Sequence, residues 1–390
     1  MAPILDGIRV IDLCTGIAGP GSSMYLADQG ADVVRIEAPR ARGSERSASD
    51  DPALDTGNGF SVQNRNKKSL TLDLKQAEGK AVFSKLVQRS DVLITNMRQA
   101  AAARLGADYA AVRSMNPRLI YGWVTAWGPK GPYASHGGYD RLTQGMSGAM
   151  YRKWEDGTPV TAGVLLSDPS VPMLMAYGVM LALWQREKTG EGQMIETSLL
   201  QAAIAMQMTS LVKIENSDRS VNQFDMPTYG IYRCADGAYI NVTALRPHQF
   251  EALCKLLDLD HLADDPRVFD PAQRDEFRRE VYPIIEALFA TKPAWEWLGL
   301  LDDADIPAAP ILEREQVFSE PQIVENQMFA RVEHPKAGPV QMFAPPISLS
   351  AAERVTHRPS PLSGQHTDEV LAELGYGDSE IAALRAQRIV

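Results

Sequence analysis

Asp168 is the one charged residue between Ala162 and Trp184, within the run TAGVLLSDPSVPMLMAYGVMLALWQREKTG (161–190). A carboxylate on so apolar a segment has two uses. As part of Ser167-Asp168-Pro169 it can start a helix, the acid capping the first turn and the proline occupying it. Held away from water, it can instead serve as a nucleophile or a base. The residue types alone leave both open.

A second stretch with chemical potential is the loop CTGIAGPGSS (14–23), placed between a strand and a helix. Open α/β sheets bind ligands at such carboxyl ends, and the N–H groups of the following helix can hold a phosphate or an oxyanion. Glu37, some twenty residues on, stands where a dinucleotide fold keeps its ribose carboxylate. The spacing of Gly16, Gly19 and Gly21 nevertheless reverses G-x-G-x-x-G and argues against a nicotinamide site. The basic residues Arg35, Arg40, Arg42, Lys67, Lys68, Lys75, Arg98 and Arg104 would together suit a ligand with several phosphates. The histidines show no metal-ligand spacing. No G-x-S-x-G elbow is present, and GMSGAM (145–150) is not one, which disfavours a serine hydrolase.

These residues need a frame. IRVIDL (8–13), ADVVRIE (31–37), DVLITN (91–96), RLIYGWVTA (118–126) and QMIET (193–197) read as strands. Helical patterns at 19–30, 76–90 and from Pro169 to Gly190 alternate with them, and a further helix begins at Ser198. Such alternation predicts a doubly wound, Rossmann-like α/β sheet. The pattern breaks at 215–230, read as a linker. A hairpin turning at Asp236-Gly237 follows, then helices at 247–257, 273–290 and 293–304, which together make a smaller α+β domain. AGPVQMFAPPISLS (337–350) reads as extended, and 366–375 and 378–387 as terminal helices. The expected domains are therefore 1–215, 216–330, and a return segment, 331–390, that completes the first.

At 390 residues, 45% hydrophobic and 23% charged, the chain has the composition of a globular protein with a sizeable core. Its net charge of -10 argues against nucleic acid or an anionic membrane as a partner. Cys14, Cys234 and Cys254 are too scattered for a disulfide framework or a metal cluster. The start, MAPILDGIRVIDL, lacks the pattern of a signal peptide, so a cytoplasmic location is expected.

Six segments in order carry a resemblance: 5–39, NRNKKSLTLDLK (64–75), 105–132, GGYDRLTQGMSG (137–148), 163–193 and LSGQHTDEVLAELGYGDSEI (362–381). Nearly end to end the chain resembles the family III CoA-transferases, the group of formyl-CoA transferase, carnitine CoA-transferase and α-methylacyl-CoA racemase. The resemblance implies an acyl-CoA:carboxylic acid CoA-transferase, an interlocked homodimer, no permanently bound cofactor, and a coenzyme A thioester as substrate. It makes Asp168 the counterpart of the family's catalytic aspartate, which forms mixed-anhydride and aspartyl-CoA thioester intermediates.

The same resemblance assigns CoA contacts to Ile17, Ala18, Leu72, Lys75, Asn96 and Arg104. Arg40 joins them as a basic residue after the second strand, although EAPRARGSER departs there from the family's usual Gly-Asp. Tyr139 matches a tyrosine that faces the acyl group in transferase members. Racemase members carry histidine in the corresponding Gly-His-Asp, whereas this chain has Gly138-Tyr139-Asp140, and a phenol is a poor exchanger of an α-proton. The glycine-rich loop of some transferases has no counterpart between 215 and 330.

Overall fold

The computed structural model describes residues 2–39, 62–154, 156–208, 210–213, 215, 229–270, 273–352, 355 and 357–390. Arg40, Arg42 and most of the 215–230 linker lie outside the described residues. Two compact units emerge: Met1–Leu211 with Gln327–Val390, and Val212–Asn326.

In the larger unit, β1 (Arg9–Leu13), α1 (Ala18–Ala27), β2 (Asp32–Glu37), β3 (Lys68–Thr71), α2 (Ala77–Gln88) and β4 (Val92–Thr95) come first. Then follow α3 (Gln99–Leu105), α4 (Tyr109–Met115), β5 (Ile120–Thr125), α5 (Asp140–Met146), α6 (Ser167–Thr189), β6 (Met194–Ser198) and α7 (Leu199–Ala205). The six strands form one parallel sheet in the order β3-β2-β1-β4-β5-β6. The order reverses between β1 and β4, so the crevice at their carboxyl ends is the switch point where such sheets bind ligands.

Strand periodicity of two divides the buried residues between the faces. Val10, Val33, Val92, Ile94, Ile120 and Val124 point towards α1, α6 and α7. Ile11, Val34, Leu70, Leu93 and Tyr121 point the other way, onto α2, α4 and the last two helices, α12 (Thr367–Glu373) and α13 (Asp378–Ala386). The C-terminal segment is stitched to the β3 edge through the backbone: Asn66 N donates to the Arg358 carbonyl at 3.1 Å, and His366 N to that of Ser69 at 3.0 Å. β3 was not apparent as a strand in the sequence. It is a four-residue strand, KSLT, paired among the described residues with β2 alone, and so short and polar a stretch gives no pattern to read.

The smaller unit holds a three-stranded antiparallel sheet, β7 (Tyr229–Arg233), β8 (Tyr239–Thr243) and β9 (Ala308–Ile311). α8 (Pro247–Leu256), α9 (Arg274–Phe289), α10 (Ala294–Asp303) and α11 (Pro321–Glu325) accompany it. Tyr232, Phe250, Phe277, Phe289 and Trp297 fill its core. Back in the larger unit, the 337–350 segment contributes a strand, β11 (Gly338–Phe343), paired antiparallel with β10 (Phe329–His334). Among the described residues no helix is long and apolar enough to cross a membrane.

Candidate active site

Topology decides where Asp168 lies. β6 runs parallel to β5, and α6 precedes it by only a short turn, so α6 runs against the strands with its first residues at their carboxyl edge. α1, following β1, starts at the same edge. The two helices lie side by side, and Gly21 allows this: a Cβ there would sit 2.7 Å from Cγ of Pro172. Gly21 is in the first turn of α1, and Pro172 is one turn into α6. The starts of both helices, with Ile17, Ala18 and Asp168, are thereby brought together.

The structure overturns the reading of Asp168 as a helix cap. The N–H groups of Leu166, Ser167 and Asp168 all donate to Oδ1 of Asp140, at 2.8, 2.6 and 3.1 Å, and the Ser167 hydroxyl adds a fourth bond at 2.8 Å. The cap comes from a residue 28 positions away in the chain. No hydrogen bond reaches the Asp168 carboxylate among the described residues. Partial burial, and then the negative charge of Asp140, push its pKa up from 3.8 to about 6. A capping carboxylate would have shifted the other way.

Asp140 itself is 2% exposed. Burial disfavours its charge, but the hydroxyl of Ser167 and the N–H groups of Asp168 and Ser167 outweigh that and hold it below the ordinary aspartate value. Tyr139, immediately before it, is 78% exposed. Gly138 lets this turn close onto the loop after β5, since a Cβ there would come within 2.3 Å of the Ala126 methyl and 3.0 Å of Trp127 Nε1. Trp127 Nε1 also donates to the Gly137 carbonyl at 3.1 Å.

The crevice at the switch point is joined across its floor by Asn96. Its Oδ1 accepts the Thr15 N–H at 2.9 Å and its Nδ2 donates to the Thr15 carbonyl at 2.7 Å, fixing the loops after β1 and β4 to each other. Beneath them Asp12, fully buried, accepts from Cys14 N at 3.0 Å, Ser23 Oγ at 2.8 Å and Lys67 Nζ at 2.8 Å. Above them, the N–H groups of Ala18 and Gly19 open α1 with no acceptor among the described residues, and Pro20 has none to offer.

The six of these basic residues that lie among the described residues sort by location. Lys67 is buried between Asp12, the Pro20 carbonyl and Asn64, and Arg35 is buried beside Asp12 and Glu37, so neither can receive a ligand phosphate. Lys68 pairs with Asp32, Glu369 and Glu373. Lys75, just after β3, Arg98, just after Asn96, and Arg104, in the last turn of α3, are exposed. Glu37 is hydrogen-bonded by Ser69. Leu72 is 1% exposed, and its side chain belongs to the core; only its main chain can meet a ligand. The sequence reading missed Asp140, Thr143 and Gln144 as a set. Their signal was present in DRLTQ (140–144), three polar residues at i, i+3 and i+4 on one helical face. Among the described residues no cluster of three or more His, Cys, Asp or Glu could hold a metal ion.

A doubly wound sheet with a half-buried carboxylate of raised proton affinity at its ligand edge is the frame of an α/β enzyme that works through a carboxylate. Comparison with known proteins narrows this. Residues 5–367 match CoA-transferase family III. The chain is 34% identical over 385 residues to the succinate–glutarate CoA-transferase of Agrobacterium fabrum, covering 95% of this chain and 96% of that one. It is 32% identical over 413 residues to the formyl-CoA:oxalate CoA-transferase of Streptomyces coelicolor, covering all of both. A CaiB/BaiF family protein from Brucella suis has a similar structure, with a TM-score of 0.81 at 29% identity over 96% of this chain and all of that one. The chain belongs to CoA-transferase family III.

Proposed function

We propose that this chain moves coenzyme A from an acyl-CoA to a free carboxylic acid, with Asp168 as the nucleophile. The observation that carries this reading is the uncapped Asp168 carboxylate, raised to about 6 at the carboxyl edge of the sheet. At neutral pH such a group is still mostly ionised, yet it is more basic, and so more nucleophilic, than a surface aspartate.

A carboxylate oxygen of Asp168 attacks the thioester carbonyl and expels CoA thiolate, leaving a mixed anhydride. The thiolate attacks the aspartyl carbonyl, releases the first acid as its carboxylate, and leaves an aspartyl-CoA thioester. The acceptor carboxylate then attacks that thioester and expels CoA thiolate again. Attack of the thiolate on the acceptor's carbonyl completes transfer and restores Asp168. No step hydrolyses the thioester, so its free energy is passed on rather than lost.

The N–H groups of α1 at Ala18 and Gly19 are placed for an oxyanion or a phosphate; those at the head of α6 are already taken by Asp140. Ile17, Ala18, the main chain of Leu72, Lys75 and Arg104 are the proposed CoA contacts, with Arg40 a further one. Asn96 acts mainly by fixing the Thr15 loop. Tyr139, exposed beside Asp140, faces the acyl group. Because two relatives are named for oxalate, succinate and glutarate, short dicarboxylates head the acceptors to try.

Intact-protein mass spectrometry after mixing with formyl-, acetyl- and succinyl-CoA, followed by borohydride, tests the reading. An adduct or reduced aspartate at Asp168 is expected, and it should be absent from Asp168→Ala. CoA exchange between acids with no covalent species on Asp168 under any donor would sink it.

The second copy implied by the family resemblance has a surface to cover. Met173, Tyr177, Met180, Leu181 and Trp184 follow helical spacing along α6 and are 41–66% exposed. We propose a homodimer in solution, with this stripe in its interface. Light scattering at micromolar concentration should return twice the mass of the chain, and a monomer there would rule the dimer out.

A further inference from the structure

Asp140 does more than close a helix end. We propose that Asp140 is the positioning residue of the nucleophile: by taking up the N–H groups at the head of α6, it leaves the Asp168 carboxylate free of its own helix and directed to substrate. The proposal rests on the reading of Asp168 as nucleophile.

A carboxylate in the first turn of a helix is drawn back to the unpaired N–H groups there, and the helix dipole adds to the attraction. Capture of that kind would tie up the attacking oxygen and weaken it as a nucleophile. Here the N–H groups of residues 166 to 168 have another acceptor, Asp140 Oδ1. Its other oxygen accepts from Gln144 Nε2. Gln144 also reaches the preceding loop, donating to the Val164 carbonyl at 3.1 Å and accepting from Ala162 N at 3.1 Å. Thr143 Oγ1 lies 2.9 Å from Ser167 Oγ and donates to the Asp140 carbonyl at 2.8 Å. Asp140, Thr143, Gln144 and Ser167 are each at most 2% exposed. Three successive ridge positions of α5 thus grip residues 162–168 in one buried network, and such a network has few alternative arrangements.

The grip is also electrostatic. The elements beside the head of α6 bring few charges: none on α7 or in the first two turns of α1, Tyr121 on β5, Glu196 on β6, and Asp140 with Arg141 on α5. Of these, Asp140 alone adds to burial in raising Asp168. One residue therefore sets both where the nucleophile points and how basic it is, through hydrogen bonds that an uncharged amide oxygen could imitate and a charge that it could not.

Asp140→Asn separates the two. It keeps an acceptor for the three N–H groups and removes the charge; the bond from Gln144 Nε2 is lost with it, since an amide nitrogen cannot accept. The acyl adduct on Asp168 should still form. The acid limb of kcat/KM, which falls as Asp168 is protonated near 6, should move to lower pH by roughly one unit. In Asp140→Ala the freed N–H groups can capture Asp168, and kcat should fall by about tenfold or more with KM for the acyl-CoA changed by less than about threefold. An acid limb that stays in place in Asp140→Asn, with the adduct retained, overturns the proposal, as does an Asp140→Ala enzyme with unchanged kcat. Absence of any Asp168 adduct in the unsubstituted enzyme overturns the reading of Asp168 itself. A variant that merely lost stability would lower the active fraction without shifting the limb.

Discussion

Replacing Asp168 by alanine is expected to lower kcat for CoA exchange between acids by at least about 10³-fold, with the fold intact. The size follows from the role. When the attacking atom is removed no other group can form the anhydride, and only the background of binding and oxyanion stabilisation remains. Among the described residues nothing nearby can substitute. Asp140 is the other carboxylate at the head of α6, but its Oδ1 already receives four hydrogen bonds and its Oδ2 receives Gln144. Exchange of a labelled acid into its own CoA thioester, followed at saturating acyl-CoA, measures the loss. If Asp168→Ala kept more than about a tenth of the wild-type rate, Asp168 would not be the nucleophile.

Much of the frame that holds this residue could be read from the chain. Branched apolar runs such as IRVIDL and DVLITN are buried on both faces in the sheet, as parallel strands must be, and the long apolar run after Ser167 is one helix ending at Gly190. The hairpin about Asp236-Gly237 and the three helices after it also lie where periodicity and turn chemistry put them. Less was legible where a residue's partner is distant in sequence. Lys67 looks like surface charge in NRNKK, yet its ammonium is buried because Asp12, 55 positions away, receives it. Leu72 sits in a segment that resembles a ligand-binding one, yet its side chain alternates inward to the core.

Asp168 shows the same limit most clearly. Ser-Asp-Pro has the local chemistry of a capped helix start, and local chemistry cannot reveal that Asp140, brought in by a separate short helix, has already taken the cap. Propensity describes what a residue would do alone. Which of two carboxylates is left free is decided by tertiary structure.

That outcome has a thermodynamic cost that can be measured. Asp168→Asn is expected to make the chain more stable at pH 7.5, by about 1–2 kcal/mol, while it abolishes transfer. In the folded chain Asp168 takes up its proton near 6, against roughly 4 when unfolded. Between those values the native state binds the extra proton. The favourable contribution is complete below the unfolded value and is lost as pH rises through 6. At pH 7.5 the wild-type chain therefore carries an ionised, half-buried group beside a second negative charge. Fully expressed, the difference between the folded and unfolded proton affinities would amount to about 3 kcal/mol, reduced here because the group is partly solvated and screened. Asparagine removes the charge at every pH, so its advantage should hold until pH approaches 6 and shrink from there towards 4. Urea midpoints across that range measure it. The sign is what discriminates. Had Asp168 been the cap of α6, asparagine would serve nearly as well and leave stability unchanged, and alanine would cost about 1 kcal/mol. A variant that gains stability and loses activity together identifies a carboxylate held against its own preference, as a half-buried nucleophile beside a second negative charge must be.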